Sequence, residues 1–188
     1  MGWLLRPGRG LVSSAQDAQR AFAELDWITP VPDHFLHTWI GGVALAPRRP
    51  TREAIDVAVG RAQRAWAGAE SYEVSYRRVN CFHSAVVVEV GDGGPRALAA
   101  DLVESRYWRE LSIEGAMQGV QLETFLPHLT IGVVNTPSEP TPLRKVLVPL
   151  RDVELGRQRI EEARLCLIPA SRTTILDRWE VVGSVSFG

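Results

Sequence analysis

Two short segments of this chain resemble each other: FLHTWIGGV, starting at Phe35, and FLPHLTIGVV, starting at Phe125, about ninety residues apart. Each carries a histidine, His37 or His128, inside an apolar strand-like run, and each continues into Gly and Val. A repeated strand is the trace expected of two similar lobes. A repeated imidazole on it asks for a chemical reason, because burying a polar group costs free energy unless it is paired.

Alternate side chains of a strand share a face. His128 and Thr130 therefore point to one side, while Leu129 and Ile131 point to the other. An imidazole titrates near neutral pH, and a hydroxyl can bond a non-bridging phosphate oxygen. Two such strands facing each other set two imidazoles across a cleft. One can act as general base on a nucleophile while the other protonates the leaving oxygen, and no metal enters that scheme.

The rest of the chain supplies helices and strands around these segments. A helix is expected from Ser13 or Ser14 to about Trp27, burying Ala15, Ala18, Phe22 and Leu25. Pro30 and Pro32 then force an extended connection, followed by a β-like run over Phe35 to Leu45. Thr51 caps a second helix, whose stripe of Ile55, Ala58, Val59, Ala62 and Trp66 is the clearest amphipathic pattern present. YEVSYRRV and HSAVVVEV read as strands, and the GDGG of Gly91 to Gly94 as a hairpin turn. A third helix is expected over Arg96 to Glu110, a loop over Ser112 to Glu123, and a strand over Phe125 to Val134. LRKVLVPLRD suggests a short helix broken at Pro149, and IEEARLCLIPA and RWEVVGSVSF suggest two closing strands. No clear strand is legible before Ser13. This order implies an α+β or α/β sandwich.

Composition narrows the function classes. With 188 residues, 45% of them hydrophobic, the chain can form one domain or two small lobes sharing an interface. A net charge of −1 is a poor footprint for coating long nucleic acid, though it leaves room for a nucleotide or an RNA end. No apolar run approaches the roughly 20 residues of a membrane span, and the N-terminus lacks a signal-like apolar core, so a cytoplasmic location is expected. Cys81 and Cys166 fit no ligand spacing and read as small buried hydrophobes. There is no GxxxxGK[ST] loop, no GxGxxG after a strand and no HExxH; neither metal nor cofactor is expected.

PHLTIGVV resembles the second HxTx motif of the 2H phosphoesterase superfamily, the family of 2′-5′ RNA ligase-like proteins and cyclic phosphodiesterases. FLHTWIGGV sits where the first motif belongs, after an N-terminal helix and before another helix. The stretch from Ala163 through RTTILDRWEVVGSVSFG is similar to the family's closing pair of strands. The resemblance covers nearly the whole chain from about Ser14. It implies a single α+β domain over 1–188, built from two similar lobes whose antiparallel sheets form a central cleft with helices outside. It also implies a monomeric, metal-independent phosphodiesterase acting on a 2′,3′-cyclic phosphate or a 2′-5′-linked nucleotide or RNA end. His37 and His128 would be the acid/base pair and Thr130 the phosphate anchor.

The first motif departs from the family pattern. Trp39 stands where the pattern has Thr or Ser, and strand alternation points Thr38 away from His37 unless a β-bulge re-aims it. The indole N–H of Trp39 can bond phosphate oxygen, its ring can stack on a base, or it can fill the pocket. Phe82 is a candidate for base stacking. Tyr76 belongs to a basic-aromatic patch with Arg77 and Arg78, and Arg172 is a candidate to reach a phosphate. His34 reads as a solvated loop residue and His83 as the start of a strand. Two other readings stand beside the enzyme: a nucleotide- or RNA-end-binding protein that lost catalysis through Trp39, and a family member repurposed for another small phosphorylated or acyl substrate.

Overall fold

The computed structural model describes residues 1–44, 49–82, 84–91, 93–108, 111, 120–135, 140–168 and 179–188, without the side chains of 140–142. Its architecture is α+β. Among the described residues nine strands, β1 (Gly2–Leu5), β2 (Ile28–Pro30), β3 (Thr38–Gly42), β4 (Tyr72–Phe82), β5 (Ala85–Val90), β6 (His128–Val134), β7 (Glu154–Ile160), β8 (Glu162–Leu167) and β9 (Glu180–Ser186), form one sheet whose strand pairs are all antiparallel. Its order is β7-β4-β5-β6-β3-β1-β8-β9, with β2 pairing on β6. The helices are α1 (Arg9–Arg20), α2 (Arg52–Ala65), α3 (Gly94–Glu104) and α4 (Pro140–Leu147).

The sheet divides into two four-stranded halves that meet where β3 lies against β6, through the registered pair Thr38↔Leu129. Beyond that pair the same edge of β6 is taken over by β2, from Pro30↔Gly132 to Ile28↔Val134. The two histidine-bearing segments are thus antiparallel neighbours at the centre of the sheet.

Helices α1, α2 and α3 cover one face. α1 packs against β6 and β7, α2 against β9, and α3 against β3 and β4. Trp3, Trp66 and Tyr107 form the aromatic centre of that core, with Trp3 edge-on to Trp66 at 5.1 Å and its indole N–H donating to the Tyr107 hydroxyl at 3.0 Å. The indoles of Trp66 and Trp108 donate to the carbonyls of Leu98 and Gly42, so each large ring is buried with its polar atom satisfied. Thr38, Leu129, Val88 and Val79 form one row of this helix-covered face and are all buried. On the other face Leu4 and Val87 are also buried, yet they stand outside the main apolar cluster.

Several sequence expectations hold. Thr51 caps α2, accepting from the Ala54 N–H at 3.2 Å, and Ile55, Ala58, Ala62 and Trp66 are buried. Others are corrected. α1 starts at Arg9 after Gly8 and ends at Arg20, several residues before Trp27; Ser14 lies inside it, its hydroxyl turned back on the Gly10 carbonyl. GDGG is no hairpin: Gly93, at φ +74°, leads into α3, whose first turn carries Pro95, and the β4–β5 hairpin closes earlier. α3 ends at Glu104, short of Glu110. The N-terminus forms the fully buried strand β1, and a further strand, β7, precedes β8. Most of the expected 112–123 loop lies outside the described residues.

Candidate active site

Register assigns the side chains of the face opposite α1, α2 and α3. From Thr38↔Leu129, one antiparallel step in each direction sets His37 against Thr130 and Trp39 against His128. The β1–β3 ladder pairs Leu4 with Trp39 and Leu5 with Thr38, and the next step sets Arg6 beside His37. The β5–β6 ladder pairs Val87 with Thr130 and Glu89 with His128. Two parallel rows result: Arg6, His37, Thr130, Val87 and, beside it, Leu4, Trp39, His128, Glu89.

The two histidines are held alike. His37 Nδ1 lies 2.7 Å from the Phe35 carbonyl oxygen and His128 Nδ1 lies 2.7 Å from that of Leu126, in each case two residues earlier. A carbonyl only accepts, so Nδ1 of each ring carries the proton, and Nε2 is the atom left for chemistry. Each imidazole is also braced edge-on by a phenyl ring: His37 by Phe35 at 5.4 Å, and His128 by Phe82 at 5.0 Å. Phe82 is 37% exposed.

Their surroundings then diverge. The half-buried His37 also touches Trp179, ring centroids 5.3 Å apart, and Trp179 carries the guanidinium of Arg6 over its face at 4.7 Å. Burial pushes the His37 pKa below the ordinary value; the Phe35 carbonyl opposes this, and the charges of His128 and Arg6 add to the lowering. That His128 acts on His37 electrostatically agrees with their places on adjoining strands.

Trp39 does not extend toward His128. A side chain at Gly2 would meet the outer edge of its ring, with Cη2 at 2.1 Å, so the indole lies over β1 on the side of β3 away from β6. Ile40 is an extra residue in β3 relative to β1, a bulge that falls beyond Trp39 and so leaves the direction of Thr38 unchanged. Thr38 is fully buried on the helix-covered face, its hydroxyl 3.5 Å from that of Tyr76, which is fully buried too. Neither can meet a ligand in the cleft, which corrects both as contact candidates. Arg172 and His83 lie outside the described residues. His34 is exposed, and its carbonyl accepts from Arg6 at 2.8 Å.

Sequence reading passed over Arg6, Trp179 and Glu89. Trp179 lies near the start of the expected last strand, and alternation from His128 reaches only its own strand. Arg6 was hidden because the fully buried β1, a four-residue strand, shows no alternation to read.

No family model matches the chain. An RNA 2′,3′-cyclic phosphodiesterase of Methanothermobacter thermautotrophicus is 26% identical over 162 residues, 84% of this chain and 81% of that protein. Among solved structures, TT0787 of Thermus thermophilus superposes with a TM-score of 0.73 at 16% identity, covering 99% of this chain and 96% of its own. E. coli LigT complexed with 3′-AMP gives 0.72 at 14% identity with the same coverage. The chain has the 2H phosphoesterase fold, and the fold together with the archaeal relative supports the superfamily read from its sequence. Among the described residues no helix is long and apolar enough to cross a membrane.

Proposed function

We propose that the protein is a phosphodiesterase that opens a 2′,3′-cyclic phosphate, or cleaves a 2′-5′ linkage, at a nucleotide or RNA end by acid–base catalysis between His37 and His128. The observation that carries this reading is the matched pair of Nδ1–carbonyl bonds, which leaves an Nε2 on each of two adjoining strands. The relative's action on RNA 2′,3′-cyclic phosphate and the 3′-AMP bound by LigT supply the substrate class.

In this mechanism His37 Nε2 takes a proton from the attacking water as the P–O bond to that water forms. Burial favours the neutral imidazole that such a base requires. His128 Nε2–H gives its proton to the ribose oxygen as that oxygen's bond to phosphorus breaks, so one phosphodiester bond is exchanged for one P–O bond from water. The Thr130 hydroxyl, beside His37 in the register, donates to a non-bridging oxygen. Phe82, braced against His128 and part exposed, is the candidate surface for a base. The chain acts as a single two-lobed domain.

The test is turnover of a panel of 2′,3′-cyclic nucleotides and 2′-5′ dinucleotides in the presence of a chelator. His37→Ala and His128→Ala should each lower kcat by about 10²–10⁴-fold; activity surviving both changes would reject the mechanism. One observation favours a second reading. With Trp39 in place of a hydroxyl across from His128, a protein that binds nucleotide without turning it over would show affinity in the same panel and no product.

A further inference from the structure

Arg6 stands beside His37 in the β1–β3 register, on the side opposite Thr130. Its guanidinium is half-buried and its place is fixed twice, by stacking on Trp179 at 4.7 Å and by the bond from Nη1 to the His34 carbonyl at 2.8 Å. The cation–π contact uses no N–H group and the carbonyl uses one of five, so donors are left over. Among the described residues no carboxylate lies within ion-pair distance of Arg6, whereas the nearby Arg164 is tied to Glu162. A fixed, partly desolvated cation with no counter-ion among the described residues, next to an imidazole, is suited to an anion.

We infer that Arg6 is an anchor for the non-bridging phosphate oxygens, acting with Thr130 from the two sides of His37 and taking over the charge-binding work left open where Trp39 replaces a hydroxyl. This rests on the phosphodiesterase reading for its substrate and extends it to a residue outside both histidine segments. The phosphate then sits toward β1, in the row of Arg6, His37 and Thr130. Lysine keeps the charge but loses the planar fork and the stacking, so Arg6→Lys should keep part of the affinity while Arg6→Gln loses it.

The test is an NMR titration of the imidazole signals with inorganic phosphate in wild type, Arg6→Gln and Arg6→Lys, run beside the turnover panel. Wild type should bind phosphate with shifts at His37. Arg6→Gln should weaken that binding about ten-fold or more, with Arg6→Lys between them. In the absence of phosphate the His37 midpoint should rise in Arg6→Gln and stay near wild type in Arg6→Lys, a change that a merely structural role would not produce. Phosphate affinity unchanged in Arg6→Gln, or no phosphate binding by wild type, overturns the assignment. If phosphate binds through Arg6 while no ester is turned over, the hydrolytic reading falls and the anion site stands.

Discussion

The indole of Trp39 lies across the backbone of Gly2, occupying the space where any other residue would carry its side chain. The pair explains how a ring of this size stands next to the two histidines without closing the space between them. Because Gly2 has no Cβ, the ring can settle over β1 and leave the β6 side of β3 clear.

Gly2→Ala tests that seat. The new Cβ would stand 2.1 Å from Cη2 of Trp39, and β3 and β1 are ladder partners that cannot separate to make room. Overpacking of this kind costs about 1–3 kcal/mol, read as a lowered urea midpoint with unchanged slope. The displaced ring is expected to reduce turnover of a cyclic nucleotide as well; a variant with wild-type stability would refute the close packing.

Trp39→Thr places a hydroxyl across from His128. A hydrogen bond to a charged group contributes about 1.5–3 kcal/mol, so kcat/KM for a 2′,3′-cyclic nucleotide should rise by roughly one to two orders of magnitude. Part of that gain would be offset in stability, because the substitution empties the space over Gly2. No change in either binding or turnover would remove Trp39 from the account of the site.

The pH profile should follow His37. Its folded-state pKa is lowered, first by burial and then by the charges of His128 and Arg6, so as a base it should stay active below the usual imidazole value of about 6.5. The acid limb of kcat/KM is therefore expected below that value. Stability has the matching sign: between the lowered pKa and about 6.5 the unfolded chain binds more protons at this residue than the folded one, so stability falls as pH falls through that window. Urea unfolding of wild type against His37→Gln across this range checks it. A wild type that gains stability relative to the variant on acidification would contradict the lowered pKa.

Much of the fold was legible because its signals are local. Thr51 and the apolar stripe behind it specify α2, and the β-rich composition of YEVSYRRV and HSAVVVEV marks the strands β4 and β5. The two histidine segments, and the position of Thr130 beside the imidazole, followed from the period of a strand alone. What escaped was decided between strands. Four buried residues in a row leave β1 without a pattern, so neither Arg6 nor the Gly2 seat for Trp39 could be placed. The surface patch expected at Tyr76 fails for a related reason: alternation gives a residue's face, but only the neighbouring strands and helices decide whether that face meets water. Gly93 misled differently, because a glycine at positive φ serves a helix start as well as a hairpin.

Antiparallel strands crossing at Thr38 and Leu129 relate the two imidazoles by a local two-fold rotation. Two identical groups arranged so have no built-in polarity, and a molecule resting between them could lie either way round. Handedness enters only through what the rotation fails to match: an alcohol on one strand against an indole on the other, a guanidinium and a second indole near one ring against a carboxylate opposite its twin. The imperfect copy, rather than the repeat itself, is what gives this groove a front and a back.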